Sequence, residues 1–327
     1  MNRRGFLTTG AALGGLAVTG CSQPASGRVL TACDVHRDGY PTVVAVKWIG
    51  EQLNTQSDGR LSLRSYPSAQ LGAEDDTVML AQSGVIDICR VNSASLNNAF
   101  PLTQALSMPF VIENDDHLHA VVDSPIGAEI LAGFEARGLV GLAIYDAGGR
   151  CFYNTSRPIE RPGDLEGLKI RVPQSDVFIE AVGAMGANPT PLTVSAVYSS
   201  LQSRLIDGAE NNWPTFETSR HVEVARYWSN TRHSYSPEFL LMSKQSWDSL
   251  APGDRELVAS LARQSVPVMR EAWRTTEAEA RTKALEEGTT PIDVDRALFR
   301  DACADVVVRR LSNPVLAALH ARIRAMA

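Results

Sequence analysis

Two arginines carry the clearest chemical capacity in this chain. In "LKIRV" (168–172), Leu168, Ile170 and Val172 alternate onto one strand face, so Lys169 and Arg171 point to the other. Pro173 ends the strand and sets Arg171 at its carboxyl end, the edge where open α/β sheets form a ligand crevice. A guanidinium there either forks onto a carboxylate through two parallel hydrogen bonds or pairs with an internal acid. Arg150 follows two glycines in "DAGGRCFYN", where the backbone can approach another group closely. With no acid adjacent to either arginine in sequence, the pair reads as an anion clamp. The stretch "DGAENNWPTFETSRH" (207–221) adds Asn211, whose amide N–H can donate to the same anion, and Trp213, an apolar wall fixed by Pro214.

The elements that must position these groups alternate. "RVLTACD" (28–34) reads as a buried strand and "PTVVAVKWIGEQLN" (41–54) as a helix opening on Pro41. "GRLSLRSYP", "EDDTVMLAQSG" and "VIDICRV" continue as strand, helix and strand, so the order β-α-β-α-β predicts a parallel sheet covered by helices. A second unit starts near Gly148, with strands in "CFYNTSRPI" and "DLEGLKIRVP" and helices in "SDVFIEAVGAMGA" and "VSAVYSSLQSRLIDG". "EFLLMSKQSW" reads as a strand returning to the first unit. From about Asp254 to Glu287 an apolar stripe predicts one helix roughly 50 Å long, kinked at Pro267 and able to brace two lobes, or two helices broken there. The expected fold is α/β and two-lobed, each lobe a mostly parallel sheet flanked by helices. Residues 28–147 with 236–277 form lobe I, and 148–235 with 278–327 form lobe II.

The N-terminus, MNRRGFLTTGAALGGLAVTGC, has the charged, apolar, small-residue order of an export signal over residues 1–20. Arg3 and Arg4 before Phe6-Leu7 resemble a twin-arginine signal, and "VTGC" resembles a lipobox whose Cys21 is lipidated. The expected location is periplasmic, tethered to a membrane surface by lipid. Cleavage before Cys21 leaves about 307 residues and 29 basic against 37 acidic side chains, moving the net charge from −6 to −8. That balance offers nucleic acid no electrostatic attraction, so an anionic ligand needs local arginines. The remaining cysteines, Cys33, Cys89, Cys151 and Cys303, lack metal-ligand spacing, and no metal or cofactor is expected. Cys33 and Cys89 are read either as a bridge or as free buried thiols.

The order Arg150, "LKIRVPQS", "GANPTPL", "VYSSLQSRLIDGAENN" resembles the solute-binding subunits of TRAP (tripartite ATP-independent periplasmic) transporters. The resemblance implies a hinge-bending binding protein with a long bracing helix that hands its ligand to small and large membrane permease subunits. It assigns the carboxylate salt bridge to Arg171, a second contact to Arg150 and a supporting amide to Asn211. "CDVHRDGYPTV", "ICRVNSASL" and the 207–221 stretch resemble members that bind hexuronates such as glucuronate or galacturonate. Arg37 stands where close relatives are expected to have proline, beside His36.

A sugar acid also needs partners for its hydroxyls. His36, Glu74, Arg90 and Asn92 are the first-lobe candidates, and Tyr153 and Trp213 either stack on a sugar face or belong to the core. Two other readings compete. The same fold could hold a C4-dicarboxylate, sialic acid or another hydroxy acid, with Arg90 as the second anion site of a dicarboxylate. An exported sugar-acid lyase or hydrolase could use His36 and Glu74 as acid and base, but the chain has no triad, zinc motif or glycine-rich phosphate loop. A non-enzyme is therefore expected.

Overall fold

The computed structural model describes residues 27–327. The export signal and Cys21 lie outside them. Among the described residues the strands are β1 (Arg28–Cys33), β2 (Leu61–Tyr66), β3 (Ile88–Asn92), β4 (Leu139–Tyr145), β5 (Gly149–Asn154) and β6 (Lys169–Val172). They continue with β7 (Asn188–Pro191), β8 (Gly208–Asn211), β9 (Tyr227–Tyr235), β10 (Glu238–Ser243) and β11 (Thr290–Ile292). They form a five-stranded sheet in the order β2-β1-β3-β10-β4 and a six-stranded sheet in the order β11-β9-β5-β8-β6-β7.

The expected β-α-β-α-β start is present, with β1 parallel to both β2 and β3. β10 returns from the second sheet and lies antiparallel between β3 and β4. The second sheet is mixed: β6 runs parallel to β7 and β8, whereas β5 is antiparallel to β8 and β9. Cys33 and Cys89 face each other in register across β1 and β3, yet both are free and buried, as are Cys151 and Cys303. The alternative of a bridge does not hold. Burial pushes the Cys33 thiol up to about 12.

A single helix, Pro252–Glu286, spans the predicted stripe, and Pro267 lies inside without ending it. Roughly its first six turns bury Val258, Leu261, Ala262, Met269 and Trp273 in the first lobe's core. Its last turns bury Ala280 and Ala284 in the second lobe's core beside Trp213 and Trp228. One continuous helix thus touches both cores.

The division of the tail needs correction. Residues 278–327 were expected with lobe II, but the terminal helix Pro314–Arg324 packs Leu316, Leu319 and Ile323 against Phe100, Phe134 and Phe239 of the first core. The spacing of 316, 319 and 323 puts all three on one helix face, and the first lobe offers the apolar surface that face needs. The Ile323 carbonyl further lies 2.9 Å from His117 Nε2.

Candidate functional site

A cavity opens between the two sheets, with about 690 Å³ of free space including its mouth. Arg150, Arg171, Asn211 and Thr215 line it from the second lobe, and His36, Glu74, Asn92 and Glu238 from the first. The ends of β5, β6 and β8 therefore deliver three of the predicted residues to one place.

Arg171 closes β6 and is buried at 5% exposure. Its Nε and Nη2 donate to the Leu192 carbonyl at 2.8 and 2.6 Å. Among the described residues no carboxylate lies within salt-bridge distance of it, and Nη1 donates to nothing. Burial penalises its charge, and with Arg150 nearby it is pushed down to about 10 despite the attraction of Glu210. An arginine held this way gains from any carboxylate brought to it.

Arg150 is different, because the sequence reading missed its acid. Glu210 accepts from Arg150 Nε at 2.5 Å and Nη2 at 2.7 Å, a bidentate pair with both partners buried. Glu210 is remote in sequence but sits on β8, the antiparallel neighbour of β5, where Cys151 pairs with Asn211 and Phe152 with Glu210. Burial opposes its ionisation, but the Arg150 charge and hydrogen bonds, helped by His233, hold its carboxyl below the usual range. Arg150 therefore lines the cavity as half of a neutral pair, with Nη1 3.3 Å from Asn211 Oδ1. Arg150→Ala strands Glu210 at 0% exposure and is expected to cost about 3–5 kcal/mol of stability. Urea unfolding measures the loss, and the double variant Arg150→Met/Glu210→Gln should recover much of it; a double variant no better than the single one sinks this account.

The 207–221 stretch resolves into four separate tasks. Glu210 pairs with Arg150. Asn211 Oδ1 accepts from Arg150 and from the Asn212 N–H at 2.9 Å, which orients the Asn211 amide nitrogen away from both. Asn212 caps the helix Trp213–Thr218 by accepting from the Thr215 N–H at 2.8 Å. Trp213 stacks on Trp228 with ring centroids 3.7 Å apart.

Trp213 and Tyr153 are consequently core residues and do not line the cavity. Along β5, Phe152 belongs to one core cluster, while Cys151 and Tyr153 belong to the other. Arg150 lies over the ring of Phe178 in the Phe152 cluster, so Tyr153 faces away from it. The Tyr153 hydroxyl is satisfied by His221 Nδ1 at 2.7 Å.

Arg90 also departs from expectation. At 1% exposure it sits behind the cavity wall and is absent from the lining. Its Nη2 donates to Asp34 at 2.5 Å, and its Nη1 to Glu74 at 2.6 Å and Glu238 at 2.5 Å. A guanidinium already shared by three carboxylates cannot serve as a second anion site, which removes the dicarboxylate role suggested for it. Its place is structural: it fixes the acids that do face the cavity.

Of those acids, Glu74 was anticipated and Glu238 was not. Glu74 heads the helix Glu74–Gln82, and its Oε2 accepts from Ser95 Oγ at 2.7 Å. Glu238 opens β10 opposite Asn92, whose amide donates to it at 3.0 Å and to the Ser236 carbonyl at 2.8 Å. Asn92 thus reaches the cavity with its amide already committed to holding Glu238. Burial, reinforced by Glu74, raises the Glu238 carboxyl in spite of Arg90. His36 stacks on Tyr40 at 3.7 Å, its ring nitrogens make no hydrogen bond among the described residues, and burial with the Arg90 charge pushes it down to about 3. It is neutral at physiological pH. Gln174, Thr193 and Ser195 are polar lining residues that the sequence reading did not single out.

The chain is similar to known proteins over nearly its whole described length. The family model of bacterial extracellular solute-binding protein, family 7 (DctP), matches residues 33–312. A TRAP periplasmic solute-binding protein from Bradyrhizobium sp. BTAi1, solved in complex with α/β-D-galacturonate, is 43% identical with a TM-score of 0.89, over 91% of this chain and 100% of that one. One from Xanthobacter autotrophicus Py2, with bound β-D-galacturonate, is 40% identical with a TM-score of 0.88, over 90% and 99%. The curated solute-binding protein of Chromohalobacter salexigens is 33% identical over 262 residues, 80% of this chain and 78% of its own length. Among the described residues no helix is long and apolar enough to cross a membrane. With a match that runs through both lobes and relatives that superpose over nine-tenths of its length, the chain belongs to family 7 of the bacterial extracellular solute-binding proteins, the DctP family, as a TRAP transporter solute-binding protein.

Proposed function

We propose that the chain captures a hexuronate, galacturonate or glucuronate, and presents it unaltered to its membrane permease. Arg171 holds the sugar carboxylate, Asn211 adds an amide donor, and Arg150 reinforces the same end through Nη1, the guanidinium nitrogen not taken by Glu210. Glu74 and Glu238 accept hydrogen bonds from ring hydroxyls, with His36 beside them as a neutral partner. Cys21 would tether the exported chain to a membrane by lipid.

One observation carries this reading. Arg171 is a buried guanidinium with no carboxylate partner among the described residues, in the wall of a cavity whose other side offers hydrogen-bond acceptors. The galacturonate complexes of the 43% and 40% identical relatives support the choice of ligand class. Charge-assisted hydrogen bonds are worth about 1.5–3 kcal/mol each, so a few of them account for much of micromolar binding, roughly 8 kcal/mol.

The test is calorimetric titration with D-galacturonate, D-glucuronate and succinate. The uronates are expected to bind in the micromolar range or tighter, and succinate far more weakly; preference for succinate would overturn the assignment. Prolonged incubation followed by recovery of unchanged uronate distinguishes capture from turnover.

A further inference from the structure

Charge is segregated across the cavity, and we propose that Glu74 and Glu238 form a specificity filter that admits hydroxyl groups and turns away a second carboxylate. The inference rests on the reading of Arg171 as the carboxylate's partner. From the second lobe the charged lining residues are Arg150 and Arg171, and from the first they are Glu74, Asp75 and Glu238. No lysine or arginine lines the cavity from the first lobe.

The cation nearest those acids is spent. Arg90 is divided among Asp34, Glu74 and Glu238, leaving a surplus of negative charge on that side. The second lobe has no matching surplus beyond Arg171, since Arg150 is neutralised by Glu210. His36 adds no positive charge because it stays neutral where it is.

A hydroxyl placed against Glu74 or Glu238 donates a hydrogen bond and is bound. A carboxylate in the same place has no proton to give and meets like charge where water is scarce: burial raises the Glu238 carboxyl, yet with Arg90 shared among three acids the cluster stays net negative even when Glu238 holds a proton. The arrangement also fixes ligand direction, carboxylate toward β6 and hydroxyls toward β3 and β10. The discriminating pair is a uronate and the aldarate of the same carbon chain, in which C1 is itself a carboxylate.

The experiment titrates D-galacturonate and galactarate into the wild type and into Glu74→Gln and Glu238→Gln, each variant first checked by thermal unfolding. Wild type is expected to bind galactarate about 100-fold or more weakly than galacturonate. Either glutamine variant should narrow that ratio by about tenfold or more, because Gln keeps the shape and removes the charge. The ratio cancels any general loss of affinity, and either variant suffices if the other folds poorly. Wild-type binding of galactarate within about tenfold of galacturonate would overturn the filter while leaving the uronate reading intact. So would a ratio that the glutamine variants leave unchanged, since exclusion would then be by shape. Absence of binding by both sugars overturns the uronate reading and the filter with it.

Discussion

Arg171→Ala should lose uronate binding by a factor of about 30 to several thousand, while the unliganded variant unfolds within about 2–4 °C of wild type. The two halves of this expectation come from the same geometry. Arg171 has no protein carboxylate to leave behind when it is removed, in contrast to Arg150, whose loss strands Glu210. Removing a buried guanidinium whose charge is already disfavoured relieves a desolvation penalty, and this offsets the hydrogen bonds lost at the Leu192 carbonyl. Binding suffers because the ligand carboxylate loses its charge-assisted partner in a site sheltered from water. Calorimetry gives the affinity and a thermal melt gives the stability. Wild-type affinity in the variant would remove Arg171 from the site, and a large fall in the melting midpoint would show that its role is in the fold.

How much of this was legible in the sequence depends on how local each cause is. Arg171 could be placed because strand alternation and Pro173 are consecutive features, and the structure ends β6 at Val172 as that pattern requires. The helix Pro41–Gln56 likewise announces itself by a proline in its first turn and an apolar stripe. The helices from Ser93 to Ala132 are eight residues long or shorter, about two turns at most, too short for a helical period to stand out, and the strand β9 lacks a strict alternation. "YWSNTRHSY" alternates imperfectly because its polar residues are themselves buried, among them Ser229, Thr231 and His233. The pairing partners were hidden for a related reason. Glu210 meets Arg150 across β8 and β5, and Glu238 meets Arg90 across β10 and β3, contacts 60 and 148 residues apart in the chain. Sequence proximity marks two arginines as unpaired only with respect to neighbours along the chain. Strand register decides the rest, and here it separated a cavity-lining arginine without a carboxylate partner among the described residues, Arg171, from Arg150 and Arg90, which have one or more.

Arg90→Met is expected to be the most damaging single change in the first lobe, and its damage should depend on pH. Arg90 is the one cation shared by Asp34, Glu74 and Glu238. Replacing one partner of a buried ion pair typically costs about 3–5 kcal/mol, and here three carboxylates lose their counter-charge together. In the wild type, burial works against the Asp34 charge, but Arg90 and the hydrogen bonds around it hold that carboxyl below its ordinary range. Without Arg90 the burial penalty is opposed mainly by neutral hydrogen-bond donors, Thr42 and the His36 N–H on Asp34 and Asn92 on Glu238, so the folded-state carboxyl of Asp34 should rise above its unfolded value and that of Glu238, already raised, should rise further. A raised acid contributes stability that is present at low pH and lost as pH rises through its folded value. The deficit of Arg90→Met relative to wild type should therefore be largest near pH 8 and shrink toward pH 5, the reverse of what acid does to a protein stabilised by ionised carboxylates. Adding Glu238→Gln to the variant should recover stability mainly at the higher pH, since it deletes a charge that is costly only when ionised. Urea midpoints for wild type, the single and the double variant at pH 5 and pH 8 decide it. A deficit that is the same at both pH values would mean that Arg90 acts by filling space, and the acids of the cavity wall would then need another source of support.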